Sequence, residues 1–332
     1  MGCLTSRLLT IIVPTFNRRE SLTRGLSALI PQIEAHCDDV ALYVSDNCSD
    51  DDTQELVCEL QGKHPGIIQY KRQERNLGAQ GNFKDAVLSV GSKFVAIFSD
   101  DDIALPCYIE MILEQLQEHP DLGLINYNAL CVSSSGRYIG VRDPLVTYGH
   151  PRYYDVGGEF IKEHTHVPSL VSSNVFDREA FIASREHLSD DVYPGYTWYA
   201  ALLRCIIDKP CCYIDSPLFV ANSPAINRWE DKALRYYVSG LGRLFKDLDS
   251  VNPGIWKAWQ TEFESGWMLR TCLCLASKYR KEYANNKAEL LQYSTSTYVR
   301  KQLDLHLRYP GELLRVTHQI RRAVYWMRRK FN

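Results

Sequence analysis

Strand and helix signals alternate along the first 130 residues, and this alternation restricts the possible folds more than any other feature of the chain. Apolar residues recur at helical spacing between short apolar runs, as they do from Leu22 to Ile33, which predicts a helix after each run. The runs themselves predict four strands, at residues 8–14, 41–45, 67–72 and 93–99. The alternation predicts an α/β fold in which a mostly parallel sheet is covered by helices on both faces.

The pattern changes after residue 120, and this change predicts how the chain is divided. Residues 124–142 have the pattern of a hairpin that turns at Ser135-Gly136, and a strand followed by a helix is predicted within residues 169–184. From Trp229 onward helical patterns dominate. We therefore predict an α/β domain and a helical C-terminal region, with bounds at 1–225 (in halves 1–120 and 121–225) and 226–332.

Polar segments follow the four predicted strands, namely PTFNRRE, SDNCSDDDT, QERNLGAQGN and SDDDIALP. The carboxyl ends of parallel strands meet at one edge of a sheet, where such folds bind ligands. In the first segment, Asn17 and Glu20 stand at the spacing of an N-cap and the third residue of a helix. We expect the four segments to form one site.

Three consecutive aspartates, Asp100 to Asp102, follow the fourth predicted strand. Along an extended chain the first and third side chains point the same way, so Asp100 and Asp102 would present two carboxylates to one side. Paired carboxylates suit a hard divalent cation that keeps coordination positions for phosphate oxygens. The alternative is an exposed acidic turn that begins a helix, where the helix dipole favours aspartate.

Asp46 and Arg75 follow the second and third predicted strands. Asp46 can accept a hydrogen bond from the N–H of a base, and Arg75 can pair with phosphate. Alternatively, Asp46 caps the turn before the next helix, a task that residues 50–52 can also perform, and Arg75 is a solvated surface side chain. No G-x-G-x-x-G follows the first strand and no Walker A sequence occurs, which argues against dinucleotide-binding and P-loop folds.

Charge and cysteine content exclude several classes of protein. Residues 1–120 hold 10 Lys and Arg against 18 Asp and Glu, and this acidic balance argues against nucleic-acid binding. The 11 cysteines lack zinc-ribbon spacing, so we expect reduced thiols in a cytosolic protein. The longest apolar runs are far shorter than the roughly 18 residues that a membrane span needs, so no spanning helix is expected.

Four segments, taken in order, resemble the nucleotide-binding half of glycosyltransferase family 2: IIVPTFNRRESLTRGLSAL, LYVSDNCSDDDT, RNLGAQGNF and FVAIFSDDDIALP. The resemblance covers about residues 8–120 and is greatest to bacterial members that build O-antigen or capsule polysaccharide, including abequosyltransferase-like ones. It implies a GT-A fold, a nucleotide-sugar donor with a UDP-sugar as the default, Mn²⁺ or Mg²⁺ as cofactor, and inverting displacement at the anomeric carbon. The half 1–120 would then bind the nucleotide sugar, and the half 121–225 the acceptor.

The family's motifs also imply a role for each loop. Asp46 would hold the base and Arg75 would approach the nucleotide. Asp100 and Asp102 would form the D-x-D metal pair, with Asp101 in the nucleotide-sugar site between them. The first loop would line the nucleotide pocket with Pro14, Thr15, Asn17 and Arg18. A divalent cation that bridges to the diphosphate would offset the clustered negative charge and stabilise the departing nucleoside diphosphate.

An inverting transfer also needs a base that deprotonates the acceptor hydroxyl. Family members often carry it as the aspartate of a Glu-Asp pair before a helix, and this chain instead has Asp190-Asp191. We predict Asp191 as the base and Asp190 as the second candidate, while the alternative is a helix-capping aspartate. The aromatic residues nearby are Tyr193, Tyr196 and Trp198. Their rings either stack on sugar rings or belong to the core.

Residues 312–332 predict an amphipathic helix that carries six Lys and Arg against one Glu. An apolar stripe under a basic face is typical of a helix that lies on an anionic membrane. Alternatively, the stripe packs on the helical region or on a second subunit, which would make a homo-oligomer. With a lipid-linked glycan as the implied acceptor, we expect a peripheral protein at the cytosolic face of the bacterial inner membrane.

Two rival functions stay open from the sequence. A sugar-nucleotide pyrophosphorylase shares a similar half-fold, but PTFNRRE lacks the glycine-rich loop that such an enzyme would carry. A non-catalytic sugar-nucleotide or glycan-binding protein would not need Asp100, Asp102 and Asp191, whose presence favours an enzyme.

Overall fold

The computed structural model of the chain describes most of the first 222 residues and part of the remainder. The described ranges are 7–133, 136–141, 150–165, 169–189, 191–193, 195–222 and 240–265, with the single positions 284, 288, 301 and 304. The chain divides into two compact units, residues 1–225 and 226–332.

Within the described part of the first unit, ten strands form one sheet. The strands are β1 (Leu9–Thr15), β2 (Val40–Asp46), β3 (Ile68–Arg72), β4 (Phe94–Ile97), β5 (Ile103–Ala104), β6 (Leu124–Val132), β7 (Tyr138–Val141), β8 (Arg152–Tyr154), β9 (Asn174–Asp177) and β10 (Cys211–Asn222). The helices described in this unit are α1 (Arg19–Ala35), α2 (Thr53–Lys63), α3 (Gly78–Ser89), α4 (Tyr108–Glu118), α5 (Gly157–Glu163), α6 (Arg178–Arg185) and α7 (Thr197–Ile206), with a short 3-10 helix at Val171–Ser173.

The sheet is parallel on one side and mixed on the other. Its strand order is β3-β2-β1-β4-β9-β6-β10-β5, while β7 pairs with β6 and β8 with β10. The strands β3, β2, β1 and β4 are parallel, whereas β9 is antiparallel to both β4 and β6. The predicted mostly parallel α/β architecture is confirmed, and the antiparallel pairings involve the strands β5 and β7 to β9, which pair with β4, β6 and β10.

The connections place helices on both faces of the sheet. The crossovers from β1 to β2 and from β2 to β3 step in one direction, and the crossover from β3 to β4 steps back past β1. Because such crossovers are right-handed, α1 and α2 lie on one face and α3 lies on the other. On these faces α1 contacts α2 and α4, and α3 contacts α6 and α7.

The strand register aligns the loops that the sequence predicted to converge. The β1–β2 pairing ends at Thr15 opposite Asp46, and the β2–β3 pairing ends at Asp46 opposite Arg72. The loop after β4 is tied to β1 because the N–H of Phe98 donates to Ile12 O at 2.8 Å. All four polar segments therefore begin at the same edge of the sheet, as predicted.

Four buried aromatic rings support this edge from below. They form a chain of edge-to-face contacts with centroids 5.2 to 5.9 Å apart. Two of the four, Tyr108 and Tyr127, share a hydrogen bond of 2.8 Å between their hydroxyl groups, which satisfies polar atoms that are fully buried. Burial of each ring stabilises the fold by roughly 1.5–3 kcal/mol. The four rings are those of Phe98, Tyr108, Tyr127 and Phe219.

Two local predictions have different outcomes. The predicted hairpin is confirmed, because β6 and β7 pair antiparallel and Gly136 adopts a left-handed φ of 75° in the turn. The predicted N-cap is wrong: α1 begins at Arg19 after Arg18, whose side chain makes no capping bond, and the N–H of Arg19 donates to Asp51 Oδ2 at 3.2 Å. Asn17 instead has a φ of 52°, a left-handed conformation that asparagine tolerates, and its side chain serves the neighbouring loop.

The second unit contains two described helices, α8 (Leu241–Asp249) and α9 (Ile255–Ser265). They pack through aromatic rings: the fully buried ring of Trp259 on α9 stacks on that of Phe245 on α8, with centroids 5.8 Å apart. Within α9 the same ring lies 5.0 Å from those of Trp256 and Phe263. The predicted amphipathic helix at 312–332 lies outside the described residues. Among the residues that the structure describes, no helix is both long enough and apolar enough to cross a membrane.

Candidate active site

The four polar loops meet where the direction of the sheet connections reverses. β1 and β4 are neighbours in the sheet. The connection after β1 steps away from β4 toward β2, whereas the connection that leads into β4 steps back from β3 past β1. In open α/β sheets such a switch point leaves a crevice at the carboxyl ends of the two strands, and ligands bind there. The loop after β1 carries Thr15 and Arg18, and the loop after β4 carries the three aspartates.

Arg18 supplies positive charge to the aspartates. Its Nη1 donates to Asp100 Oδ1 at 2.8 Å and to Asp101 Oδ2 at 3.0 Å. Thr15 Oγ1 donates to the other oxygen of Asp100 at 2.8 Å. Burial lowers the pKa of Arg18, but the two carboxylates outweigh this effect and raise it above its ordinary value, so the guanidinium stays charged.

The aspartates form a turn rather than an extended segment. The N–H of Asp102 donates to Ser99 O at 3.2 Å, and Ser99 Oγ donates to Asp101 Oδ1 at 2.6 Å. The premise that Asp100 and Asp102 point the same way along an extended chain is therefore wrong. The side chains that meet at one point are those of Asp100 and Asp101, at Arg18.

Asp102 is bonded to a different part of the sheet. Its Oδ1 accepts the backbone N–H of Asn222 at 3.0 Å, and the side chain of Asn222 donates to Asp101 O at 2.7 Å. Ser172 adds a further hydrogen bond to Asp102, which is 3% exposed. Burial raises the pKa of Asp102 to about 7, and burial likewise raises the pKa of Asp100 against the opposing effect of Arg18.

Helix α1 approaches this acidic turn very closely, and a glycine permits the approach. A Cβ atom added at Gly25 would lie 3.1 Å from Asp102 O and 3.6 Å from Asp100 O. The first of these distances is shorter than an ordinary van der Waals contact, so a larger residue would displace the turn or the helix. Gly25 therefore lets α1 pack directly on the turn.

The first and second loops are joined by reciprocal hydrogen bonds. The N–H of Asn17 donates to Ser49 Oγ, and the N–H of Asp50 donates to Asn17 Oδ1, each at 2.9 Å. Pro14 lies opposite Ser45 in the β1–β2 ladder, half-buried beside them. Predicted pocket residues of the first loop thus order the second loop as well.

Asp46 is fully buried and has structural partners on both oxygens. Oδ1 accepts the N–H of Ser49 at 2.8 Å, and Oδ2 accepts the hydroxyl of Tyr70 at 2.7 Å. Asp51 holds the start of α2 through Thr53, but Asp46 closes the preceding turn. Of the two interpretations of Asp46 that the sequence leaves open, the turn-closing one is present in the structure, while its contact with a base remains a prediction.

Two arginines at the third loop have different surroundings. Arg75 is exposed to solvent. Arg72, at the end of β3, donates to Ser49 O at 2.8 Å and lies 3.8 Å from Asp46 Oδ2. Arg72 thus braces the second loop, and Arg75 is accessible to a ligand.

Asp191, the predicted base, is exposed, and its N–H donates to Ser189 Oγ at 3.2 Å. The second candidate, Asp190, lies outside the described residues. Of the nearby aromatic residues, Tyr193 and Trp198 are buried at 2% and 6% exposure, so both belong to the core rather than to a sugar-stacking surface.

Sequence reasoning missed two residues of this edge. Phe16 lies between Thr15 and Asn17 and is 40% exposed, so it offers an aromatic face in the first loop. An apolar residue in a polar loop was the available signal. Asn222 gave no signal, because its contact with Asp101 and Asp102 spans some 120 residues of sequence.

The donor set at the acidic turn fits a hard divalent cation. Asp100 Oδ1 and Asp101 Oδ2 face one point, which a cationic nitrogen of Arg18 occupies, and carboxylate oxygens suit Mg²⁺ or Mn²⁺. Among the described residues, no group of three or more His, Cys, Asp and Glu is arranged to hold a metal ion. A cation here would therefore complete its coordination with ligand oxygens such as those of a diphosphate.

Sequence comparison finds relatives that are glycosyltransferases. The chain is 25% identical over 56% of its length to the uncharacterized glycosyltransferase MJ1057 of Methanocaldococcus jannaschii and spans 64% of that protein. It is 28% identical to the abequosyltransferase RfbV of Salmonella typhimurium, over 80% of this chain and 83% of RfbV. It is 30% identical to a Campylobacter jejuni GalNAc(5)-diNAcBac-PP-undecaprenol beta-1,3-glucosyltransferase, over 33% of this chain and 35% of that protein.

Comparison with solved structures gives the same fold. S. aureus TarS 1–349 in complex with UDP-GlcNAc matches with a TM-score of 0.59 and 13% identity, over 90% of this chain and 79% of TarS. The mannosyltransferase PcManGT from Pyrobaculum calidifontis, in complex with GDP-Man and Mn²⁺, matches with a TM-score of 0.52 and 16% identity, over 91% of this chain and 86% of that one. At these identities the likeness establishes the GT-A fold alone.

The family model described as "Glycosyl transferase family 2" matches residues 10–174, which include β1 except its first residue, β2 to β4 and the acidic turn. This match and the named relatives leave no support for a pyrophosphorylase or a non-catalytic binding protein. The chain is a glycosyltransferase, and it belongs to glycosyl transferase family 2.

Proposed function

We propose that the protein transfers a sugar, with inversion and with the help of a divalent cation, from a nucleotide-sugar donor to a lipid-linked glycan in the synthesis of a bacterial surface polysaccharide. The observation that carries the proposal is the meeting of Asp100 and Asp101 at Arg18, in the crevice between β1 and β4. This is the place where a fold of this class binds a nucleotide.

The acidic turn would hold the diphosphate of the donor through a divalent cation. Asp100 and Asp101 would hold the cation with one oxygen each, at the point where Arg18 now donates, and Arg18 would then be free to pair with the phosphate oxygens. Mn²⁺ or Mg²⁺, when bound, stabilises negative charge on the departing nucleoside diphosphate. Asp102, which the sequence paired with Asp100, instead fixes the turn to Asn222 on β10.

The first three loops bind the nucleotide. Phe16 of the first loop offers an exposed aromatic face for the base. Asp46 lies at the end of β2, and Arg75 is exposed and so accessible to phosphate. A UDP-sugar is the default donor, in keeping with UDP-GlcNAc in TarS, while PcManGT binds GDP-Man. A test of donors should therefore include both UDP-sugars and GDP-sugars.

Asp191 is the acceptor-side base. Its carboxylate takes the proton of the acceptor hydroxyl as that oxygen bonds to the anomeric carbon, and the bond from this carbon to the phosphate oxygen breaks with its electron pair on the diphosphate. A lipid-linked acceptor is supported by the relative that acts on an undecaprenol-linked glycan. A role for residues 312–332 at the inner membrane surface extends the same proposal.

The proposal is tested by incubating the protein with a panel of UDP-, GDP-, dTDP- and CDP-sugars and measuring release of nucleoside diphosphate. We expect one donor to be turned over with Mn²⁺ or Mg²⁺, and turnover to rise when membranes that contain polyprenyl-linked glycans are added. Turnover that is unchanged in excess chelator would contradict the proposed dependence on a divalent cation. Turnover that does not rise when the membranes are added would contradict the proposed lipid-linked acceptor.

A further inference from the structure

The side chain of Gln80 connects two segments that lie far apart in the sequence. Its Oε1 accepts the N–H of Trp198 at 3.2 Å, and its Nε2 donates to Gly195 O at 3.3 Å. Gln80 lies in the first turn of α3, directly after the loop that carries Arg75. Both of its partners lie just after Asp191 in the chain.

Gln80 takes the place of an N-cap for α7. That helix begins at Thr197, and its own N-cap residue, Tyr196, makes no side-chain capping bond. The first N–H groups of a helix have no partner within it, and here one of them, at Trp198, is satisfied from α3. The position of α7 relative to α3 is therefore set by a directional bond in addition to packing.

A second glutamine on the same unit makes the same pair of bonds. Gln32 of α1 accepts the N–H of Ile109, in the first turn of α4, at 3.2 Å and donates to Leu105 O at 3.0 Å. The N-cap residue of α4, Cys107, also lacks a side-chain capping bond. The helices α1 and α3, which follow the first and third site loops, each hold the start of a later helix by one glutamine.

The segment that Gln80 holds is anchored at its other end as well. The hydroxyl of the buried Tyr193 accepts a hydrogen bond from Arg204 Nη2 at 2.9 Å. Gly195 has a left-handed φ of 73°, which lets the backbone turn between the two anchors. Asp191 itself is exposed and precedes the first anchor by two residues.

We propose that Gln80 is a positioning residue that sets the acceptor-side carboxylate of Asp191 relative to the donor loop. This inference rests on the proposed function, because it takes Asp191 as the base. Loss of the Gln80 bonds frees the start of α7 and the segment before it, while the donor site between β1 and β4 keeps its own hydrogen bonds. Transfer to the acceptor is then impaired, whereas donor binding and slow donor hydrolysis persist.

The test compares Gln80→Ala, Gln80→Glu and the control Gln61→Ala in the full-length chain. Gln61 also donates to a backbone carbonyl, Ile68 O at 3.0 Å, but at the start of β3, away from the site edge. We expect Gln80→Ala to lower kcat for transfer about 10–100-fold with little change in donor KM, since small displacements of reacting groups cost this much. Amide exchange in a peptide that covers 195–203 should become faster in Gln80→Ala and stay unchanged in Gln61→Ala.

Gln80→Glu keeps an acceptor for Trp198 but loses the donor to Gly195, so we expect intermediate exchange and an intermediate kcat. If amide exchange becomes faster in Gln80→Ala but kcat stays at the wild-type value, Gln80 only caps α7. If amide exchange is unchanged, the two bonds of Gln80 do not hold the segment. Either result overturns the inference. A wild-type protein that transfers no sugar overturns the proposed function and this inference with it. Wild-type transfer that survives Gln80→Ala overturns the inference alone.

Discussion

Arg18 and Asp100, 82 residues apart in sequence, form an ion pair of 2.8 Å at the switch point of the sheet. The same guanidinium nitrogen also contacts Asp101. Three neighbouring carboxylates repel one another and resist the loss of water, and Arg18 offsets this cost in the protein without bound cation. Arg18 and a divalent cation would thus compete for the same two oxygens.

Substitution of Arg18 by alanine tests this competition. Without the guanidinium the buried Asp100 loses a charged partner, so we expect the free energy of unfolding to fall by about 1–3 kcal/mol in the absence of metal. Mn²⁺ should restore part of this loss and raise the Tm of Arg18→Ala more than that of the wild type. Arg18→Lys, which keeps the charge, is the control. An equal Mn²⁺-induced shift in all three proteins would contradict the competition.

The separate tasks of Asp101 and Asp102 predict opposite effects of removing their charge. Asp101→Asn should weaken Mn²⁺ binding in the presence of UDP by at least about tenfold, as measured by electron paramagnetic resonance, with little change in Tm. Asp102→Asn should keep Mn²⁺ binding, because an amide oxygen can still accept the N–H of Asn222. The reverse pattern would restore the pair Asp100 and Asp102 that the sequence favoured.

The proposed base predicts a separation of binding from chemistry. Asp191→Asn should lower kcat for transfer about 10²–10⁴-fold and leave donor KM nearly unchanged, because Asp191 lies on the acceptor side. Ser189→Ala, which removes the acceptor for the backbone N–H of Asp191, serves as a control for local structure. If Asp191→Asn transfers normally and Asp190→Asn does not, the base is Asp190.

Asp177 predicts a loss of stability in acid. Burial raises its pKa, but the N–H of Ala180 and the ammonium of Lys209 outweigh this effect and hold the pKa below its ordinary value. Because the folded-state pKa is depressed, the stabilisation is complete above the unfolded-state pKa of about 3.9 and is lost as the pH falls through the folded-state value.

We therefore expect Asp177→Ala to cost about 1 kcal/mol at pH 7 as a lost N-cap. The difference from the wild type in urea unfolding should shrink as the pH falls below 4. An equal substitution at the exposed Asp38 should change stability little at either pH. A difference at Asp177 that grows in acid would contradict the assigned ionisation.

The sheet and its loop edge are predictable from the sequence because they depend on local patterns. Apolar runs and helical stripes fix β1 to β4 and their connecting helices, and parallel pairing then brings the loops that contain Asn17, Asp46 and Asp100 to one edge. These steps need only periodicity and the geometry of crossovers. The hairpin between β6 and β7 was predictable in the same way, from one turn signal between two apolar runs.

The partners of individual side chains were not predictable. Whether three aspartates are extended or form a turn depends on Ser99 and on what faces them, and the bonds from Asn222 and Gln80 span more than 100 residues. The sequence shows that neighbouring aspartates can cap α2 in place of Asp46, but it does not show that the hydroxyl of Tyr70 on the next strand donates to the second oxygen of Asp46. Such contacts are set by tertiary packing, which cannot be read from the local patterns of a single sequence.

The most direct test of the central claim measures sugar transfer from the donor found in the panel, in wild type and Asp101→Asn, with Mn²⁺, with excess chelator, and after Mn²⁺ is added back. We expect wild-type transfer to stop in chelator and to return with Mn²⁺, and Asp101→Asn to stay inactive throughout at a Tm close to that of the wild type. Wild-type transfer that continues in chelator, or an Asp101→Asn protein with wild-type activity, would contradict a cation held at the acidic turn.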